Sequence, residues 1–234
     1  CTIENNHLSA FRKITKFNLD KKKVIVPLSY GSPWLRTYLL RKGKIVLGGL
    51  DPSKIEVIHN FLRTSGLPES SDAGGDYYCY IGRLSSEKGI ATLLKAASAL
   101  PDYRLKVIGT GPLESDLISL NKREHIEFLG YKTGIELKNL LSGSRFMVIP
   151  SEVYENNPLT VIESLCTGTP VLGSDIGGIP ELIIPGLNGM LFEAGNVVDL
   201  QKSISYMWQH HTDFNSNGII QDAISRFDTD RYYA

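Results

Sequence analysis

Cysteine and histidine are too few and too scattered in this chain to build a zinc site. The three cysteines, Cys1, Cys79 and Cys166, contain no CxxC pair, and the five histidines, His7, His59, His125, His210 and His211, have no ligand spacing. An odd number of cysteines, two of them in apolar segments, reads as buried free thiols. That fits a reducing, cytoplasmic compartment. No apolar run approaches the roughly 18 residues of a membrane-spanning helix, and no secretory signal is visible. Basic–aromatic interleaving of the kind that binds nucleic acid is missing, as is any Ser/His/Asp arrangement. No internal repeat or low-complexity tract stands out. Met does not begin the chain, so Cys1-Thr2-Ile3 reads as the start of a processed or excised piece.

Net charge is also lacking, since 25 Lys and Arg meet 25 Asp and Glu, but the charge is unevenly spread. Residues 1–60 hold 11 basic against 4 acidic side chains, a net +7, and the remainder holds 14 against 21, a net −7. The basic segment is a candidate for peripheral contact with an anionic membrane face. A solvated helix surface explains the same lysines.

Apolar periodicity predicts a helix over 1–20, a strand over 24–28, a helix from Ser32 and a strand over 54–58. Residues 1–63 then form the remnant of a domain with its hinge, and 64–75, rich in Gly, Ser and Pro, a linker. Strands and helices alternate through 76–211: strands over 77–82, 105–109, 126–130, 146–150 and 170–174, and helices over 88–100, 112–122, 134–141, from Pro158, and 196–211. Residues 212–234 read as a tail. This order predicts an α/β fold, a Rossmann-like parallel sheet with helices on both faces.

In such a sheet ligands bind at the carboxyl edge of the strands. Two successive strands deliver the loops 151–157 and 175–179 to that edge, each ending at a helix start, and a helix N-terminus suits phosphate. Glu155 lies in the first of these loops and Glu163, with seven residues between them, on the following helix, so both can face one cleft and accept hydroxyl hydrogen bonds. A helix-capping role for Glu155 and a solvated position for Glu163 are the plainer alternatives. Arg83 and Lys88, in IGRLSSEKG, flank a strand end and can clamp a diphosphate, unless Arg83 simply pairs with Glu87. IGTGP carries Gly109, and GYK carries Tyr131, at strand ends where a nucleobase could meet backbone groups. A tight turn serves as well for either. Asp228-Thr229-Asp230 has the form of a metal-binding DxD, but an N-cap by Asp228 is the simpler reading.

GRLSSEKG, IGTGP, FLGYK and PSEVYENNPLTVIESLCTGTPVLGSDIGGIPELI resemble the C-terminal domain of the family 4 (group 1) retaining glycosyltransferases. The resemblance runs over about 76–208 and more weakly over 24–61, as the end of the N-terminal domain. It implies the GT-B fold, two Rossmann-like domains around the active site. The implied reaction transfers a sugar from a nucleoside-diphosphate sugar to a carbohydrate or lipid-linked acceptor hydroxyl, with retention and with no cofactor or metal. Bacterial surface polysaccharide synthesis is the implied setting. Arg83 and Lys88 would then bind the diphosphate, Glu163 the ribose, Glu155 the donor sugar, and backbone of Asn156, Asn157, Pro158, Leu159 and Thr160 the phosphates. Many members carry EGFG where this chain has Glu155-Asn156-Asn157-Pro158, a stiffer loop. Most of the acceptor domain is expected to be missing, so this chain would be mainly the donor-binding half. A nucleotide-sugar epimerase of the same architecture and a non-catalytic nucleotide-sugar-binding module are the competing readings. The epimerase would need a further proton-abstracting carboxylate pair, which is not visible.

Overall fold

Short runs of β-branched and aromatic residues, each closed by a glycine or a polar turn, build the framework. The computed structural model describes residues 24–27, 55–58, 60 and 75–228. The helices expected over 1–20 and from Ser32, the linker up to 74, and Asp230 lie outside the described residues. Strands β1 (Val24–Pro27) and β2 (Ile55–Ile58) pair in parallel as a small separate sheet.

Six further strands form the main sheet: β3 (Tyr77–Ile81), β4 (Arg104–Ile108), β5 (Ile126–Gly130), β6 (Met147–Ile149), β7 (Val171–Ser174) and β8 (Gly189–Phe192). Their order is β5-β4-β3-β6-β7-β8 and every pairing is parallel. The helices are α1 (Ile90–Ser98), α2 (Glu114–Leu120), α3 (Gly134–Ser142), α4 (Leu159–Cys166), α5 (Ile179–Leu182), α6 (Val197–Gln209) and α7 (Ser216–Phe227). Strand β8 was not anticipated from the sequence. Lys88, expected at a helix start, instead ends a separate 3-10 turn, Ser86–Lys88, stopped by Gly89 in the left-handed region at φ 66°.

The two-residue period of β3 divides the core. Tyr77 and Cys79 face one side, where Val161, Leu165, Ile179, Ile219 and Phe227 from α4, α5 and α7 cover them. Tyr78 and Tyr80 face the other, against Leu93 of α1 and Leu200, Ile204 and Met207 of α6. Ile219, Ala223 and Phe227 of α7 therefore share the core of the sheet: Phe227 is fully buried and contributes about 1.5–3 kcal/mol by that burial. Asp228 is the C-cap of α7, which begins at Ser216 with Asn215 as its N-cap; the helix expected to start at Asp228 lies outside the described residues. Cys79 and Cys166 are buried free thiols, and burial pushes Cys79 up to about 12 and Cys166 to about 11.

Sequence order reverses between β3 and β6, since β4 and β5 lie to one side and β7 and β8 to the other. Near that reversal the segments leaving β3, β4 and β5 and the start of α4 surround a crevice at the carboxyl edge.

Candidate functional site

Arg83 is the second residue beyond β3. Its carbonyl accepts a hydrogen bond from the Tyr80 hydroxyl at 2.8 Å, and its exposed guanidinium makes no ion pair with Glu87 or any other described residue. Glu87 instead accepts the Ser85 hydroxyl at 2.6 Å, which holds its carboxyl below the usual range. Gly89 closes the loop because a Cβ there would stand 1.8 Å from the carbonyl oxygen of Pro150. The loop after β3 thus lies directly on the loop after β6, and Glu152 N–H donates to Glu87 O at 3.0 Å.

The loop after β6 runs into α4 at Pro158, which supplies no capping side chain, so neither Glu155 nor any other residue caps the helix through its side chain. The N–H groups of Leu159 and Thr160 can meet an anion, whereas that of Val161 donates to Pro158 O at 3.1 Å. Glu163, one turn further, is half-buried. Burial pushes its carboxyl up, with Lys138 pulling the other way, and its carboxylate has no hydrogen-bond partner among the described residues.

A cleft of about 450 Å³ gathers these groups. Its walls include Arg83 beyond β3, Gly109 beyond β4, Tyr131 and Lys132 beyond β5, and Thr160 and Glu163 of α4. Lys88 and Glu155 do not line this cleft. They pair with each other beside it, on the same two loops, Lys88 Nζ to Glu155 Oε1 at 2.5 Å. Glu155 is near Tyr80, whose hydroxyl is pushed up by burial and further by Glu155 and Glu87. Asn156, Asn157, Pro158 and Leu159 are also outside the cleft wall. Asn157 is buried and its carbonyl accepts the Asn60 amide at 2.7 Å, whereas Leu159 is 47% exposed.

Sequence reasoning passed over Thr110, Thr133, Gly134 and Leu137, which complete the cleft wall. Gly130 and Gly134 bracket the turn at φ 68° and 57°, and that GYKTG pattern was the available signal. It also passed over the support under Glu155. Gly177 and Gly178 press against the loop so closely that a Cβ on Gly178 would lie 2.0 Å from Asn156 O, and Gly178 N–H donates to Glu155 O at 2.7 Å.

The family described as Glycosyl transferases group 1 matches residues 68–217. An uncharacterized glycosyltransferase of Methanocaldococcus jannaschii is 32% identical over 135 residues, 56% of this chain and 38% of that protein. Sulfoquinovosyl transferase of Arabidopsis thaliana is 35% identical over 123 residues, 51% of this chain and 24% of that protein. The chain thus spans less than half the length of these relatives. Among solved structures, Anabaena HepE in complex with UDP superposes with a TM-score of 0.70 at 20% identity, covering 81% of this chain and 58% of that one. The shared fold is that of the GT-B glycosyltransferases.

Proposed function

This chain belongs to the group 1 glycosyl transferases, and from that premise we propose that it is the donor-binding half of a retaining, family 4 type enzyme that transfers a sugar from a nucleoside-diphosphate sugar to an acceptor hydroxyl. The observation that carries the reading is the cleft at the sheet's reversal point. There a guanidinium and a half-buried carboxylate, neither with a partner among the described residues, converge with a helix start that its N-cap side chain does not cap.

Each of these groups suits a part of a nucleoside diphosphate. Among the described residues Arg83 has no counter-ion, and the diphosphate is one. The first turn of α4, with backbone of Asn156 to Thr160, would meet the phosphate oxygens. Among the described residues Glu163 accepts no hydrogen bond, and the two ribose hydroxyls are donors. Tyr131, 72% exposed, and the backbone at Gly109 would flank the base. Lys88, on the Arg83 loop, adds a second cation against the charge that grows on the diphosphate as the sugar departs. Glu155, on the loop that leads to α4, would meet the sugar. HepE was solved with UDP and also with UDP-glucose, which supports a uridine nucleotide as the first ligand to try.

In this reading no metal or cofactor takes part, because Arg83, Lys88 and the helix start supply the positive charge. The acceptor is a carbohydrate or lipid-linked hydroxyl, the setting is bacterial surface polysaccharide synthesis on the cytoplasmic side, and basic residues 1–60 touch the membrane face. Among the described residues no helix is long and apolar enough to cross a membrane. A thermal-shift panel of nucleoside diphosphates and their sugars tests the proposal. Stabilisation by one nucleotide family supports it, and an unmoved melting temperature across the panel refutes it.

A further inference from the structure

Glu155 is held by one oxygen only. Lys88 Nζ and the Ser151 hydroxyl both donate to Oε1, at 2.5 and 2.7 Å, while Oε2 has no hydrogen bond among the described residues. Ser151 is fully buried, and its hydroxyl has a single proton to give. The alternative acceptor, Glu87 O, is 3.5 Å away, so the proton goes to the carboxylate. Ser151 is itself fixed: the hydroxyl of Ser174, fully buried at the end of β7, donates to Ser151 O at 2.8 Å. Backbone and side chain of Glu155 are therefore clamped separately, the backbone by Gly178 N–H at 2.7 Å and the carboxylate by Ser151 and Lys88.

Two donors on Oε1 leave Oε2 as the oxygen open to a ligand. We propose that Ser151 is a positioning residue: by occupying Oε1 it fixes the rotation of the Glu155 carboxylate so that Oε2 is presented to a hydroxyl of the donor sugar. The inference rests on the donor-site reading above and adds to it the residue that sets the sugar contact. Lys88 alone cannot do this. Its long stem is a third exposed and follows the carboxylate, whereas the buried Ser151 cannot move.

The test is a double-mutant cycle on this chain, with dissociation constants for UDP and UDP-glucose measured by calorimetry. Ser151→Ala should weaken UDP-glucose about 3- to 10-fold, as loosening one charged hydrogen bond implies, and leave UDP unchanged. In the Glu155→Ala background the same substitution should have no effect, and Ser151→Thr should restore affinity. Ser164→Ala is the structural control, since it removes another fully buried hydroxyl, bonded to Thr169 O, away from Glu155. If Ser151→Ala weakens both ligands alike, as a general loss of stability would, or adds in full to Glu155→Ala, Ser151 is structural and the proposal is overturned. No change in either ligand overturns it too. If the wild-type chain binds neither ligand, or Glu155→Ala leaves UDP-glucose binding intact, the donor-site reading itself fails and takes the inference with it.

Discussion

Replacing Gly178 by Ala should displace the Glu155 loop without touching any cleft residue. The backbone at Gly178 has φ −96°, which alanine adopts freely, so the effect is purely steric. The new Cβ would stand 2.0 Å from Asn156 O and 3.2 Å from Glu155 O, where ordinary contact begins at 3.4 Å. Relief requires a shift of roughly 1.4 Å between two backbones, and overpacking of this kind costs about 1–3 kcal/mol. A displacement of that size at a positioning loop can cost about a hundredfold in function. Gly186→Ala is the matched comparison. It sits at φ 80° with nothing within 4 Å, so alanine there meets conformational strain of about 1–2 kcal/mol and no neighbour. Urea unfolding should show both variants destabilised, while calorimetry with UDP-glucose should show weakened binding only for Gly178→Ala. A Gly178→Ala protein with an unchanged urea midpoint and unchanged affinity would refute the close-packing argument.

Two further substitutions address stability. The Tyr78 hydroxyl is buried with no hydrogen-bond partner, while its ring stacks on Phe146 at 5.1 Å. Tyr78→Phe keeps the stack and removes the orphan group, so the urea midpoint should rise by an amount equivalent to about 1 kcal/mol; a fall would show that the hydroxyl has an acceptor. Glu163 has its folded-state pKa raised by burial. The unfolded chain therefore releases this proton first, and stability falls as pH rises from the usual carboxylate value through the raised one. Glu163→Gln should accordingly raise the melting temperature at pH 7, with the difference vanishing well below pH 4.5. An advantage that persists at low pH would assign the effect to something other than ionisation.

The strand–helix alternation was legible because β3 and β6 are largely buried apolar runs ended by Gly82 and Pro150, and β4 places buried Leu105, Val107 and Ile108 before Gly109. Strand β8 was not, because GMLF opens on a glycine and sits between the turns of GLN and EAGN. It is held by pairing with β7, a long-range contact that no local pattern announces. Arg83, Gly109 and Tyr131 were placed on one edge by strand ends, Glu163 by the helix start that follows, and Thr160 by the family resemblance, and one cleft contains them. The ion pair of Lys88 with Glu155 joins loops 67 residues apart, which spacing cannot reveal. Gly177-Gly178 was visible as a turn, but the chain it makes room for was not. Helix α7, with Asp228 as its C-cap, was not read from the sequence as part of the core, because its apolar residues Ile219, Ala223 and Phe227 lie among polar ones.

Titration of the chain with UDP, wild type against Arg83→Ala and Glu163→Ala, tests most directly whether the cleft lined by Arg83 and Glu163 is a nucleotide site. Saturable one-to-one binding should weaken with either substitution, by about 1.5–3 kcal/mol for Glu163→Ala, or roughly 10- to 150-fold. Binding that neither substitution changes would contradict the account.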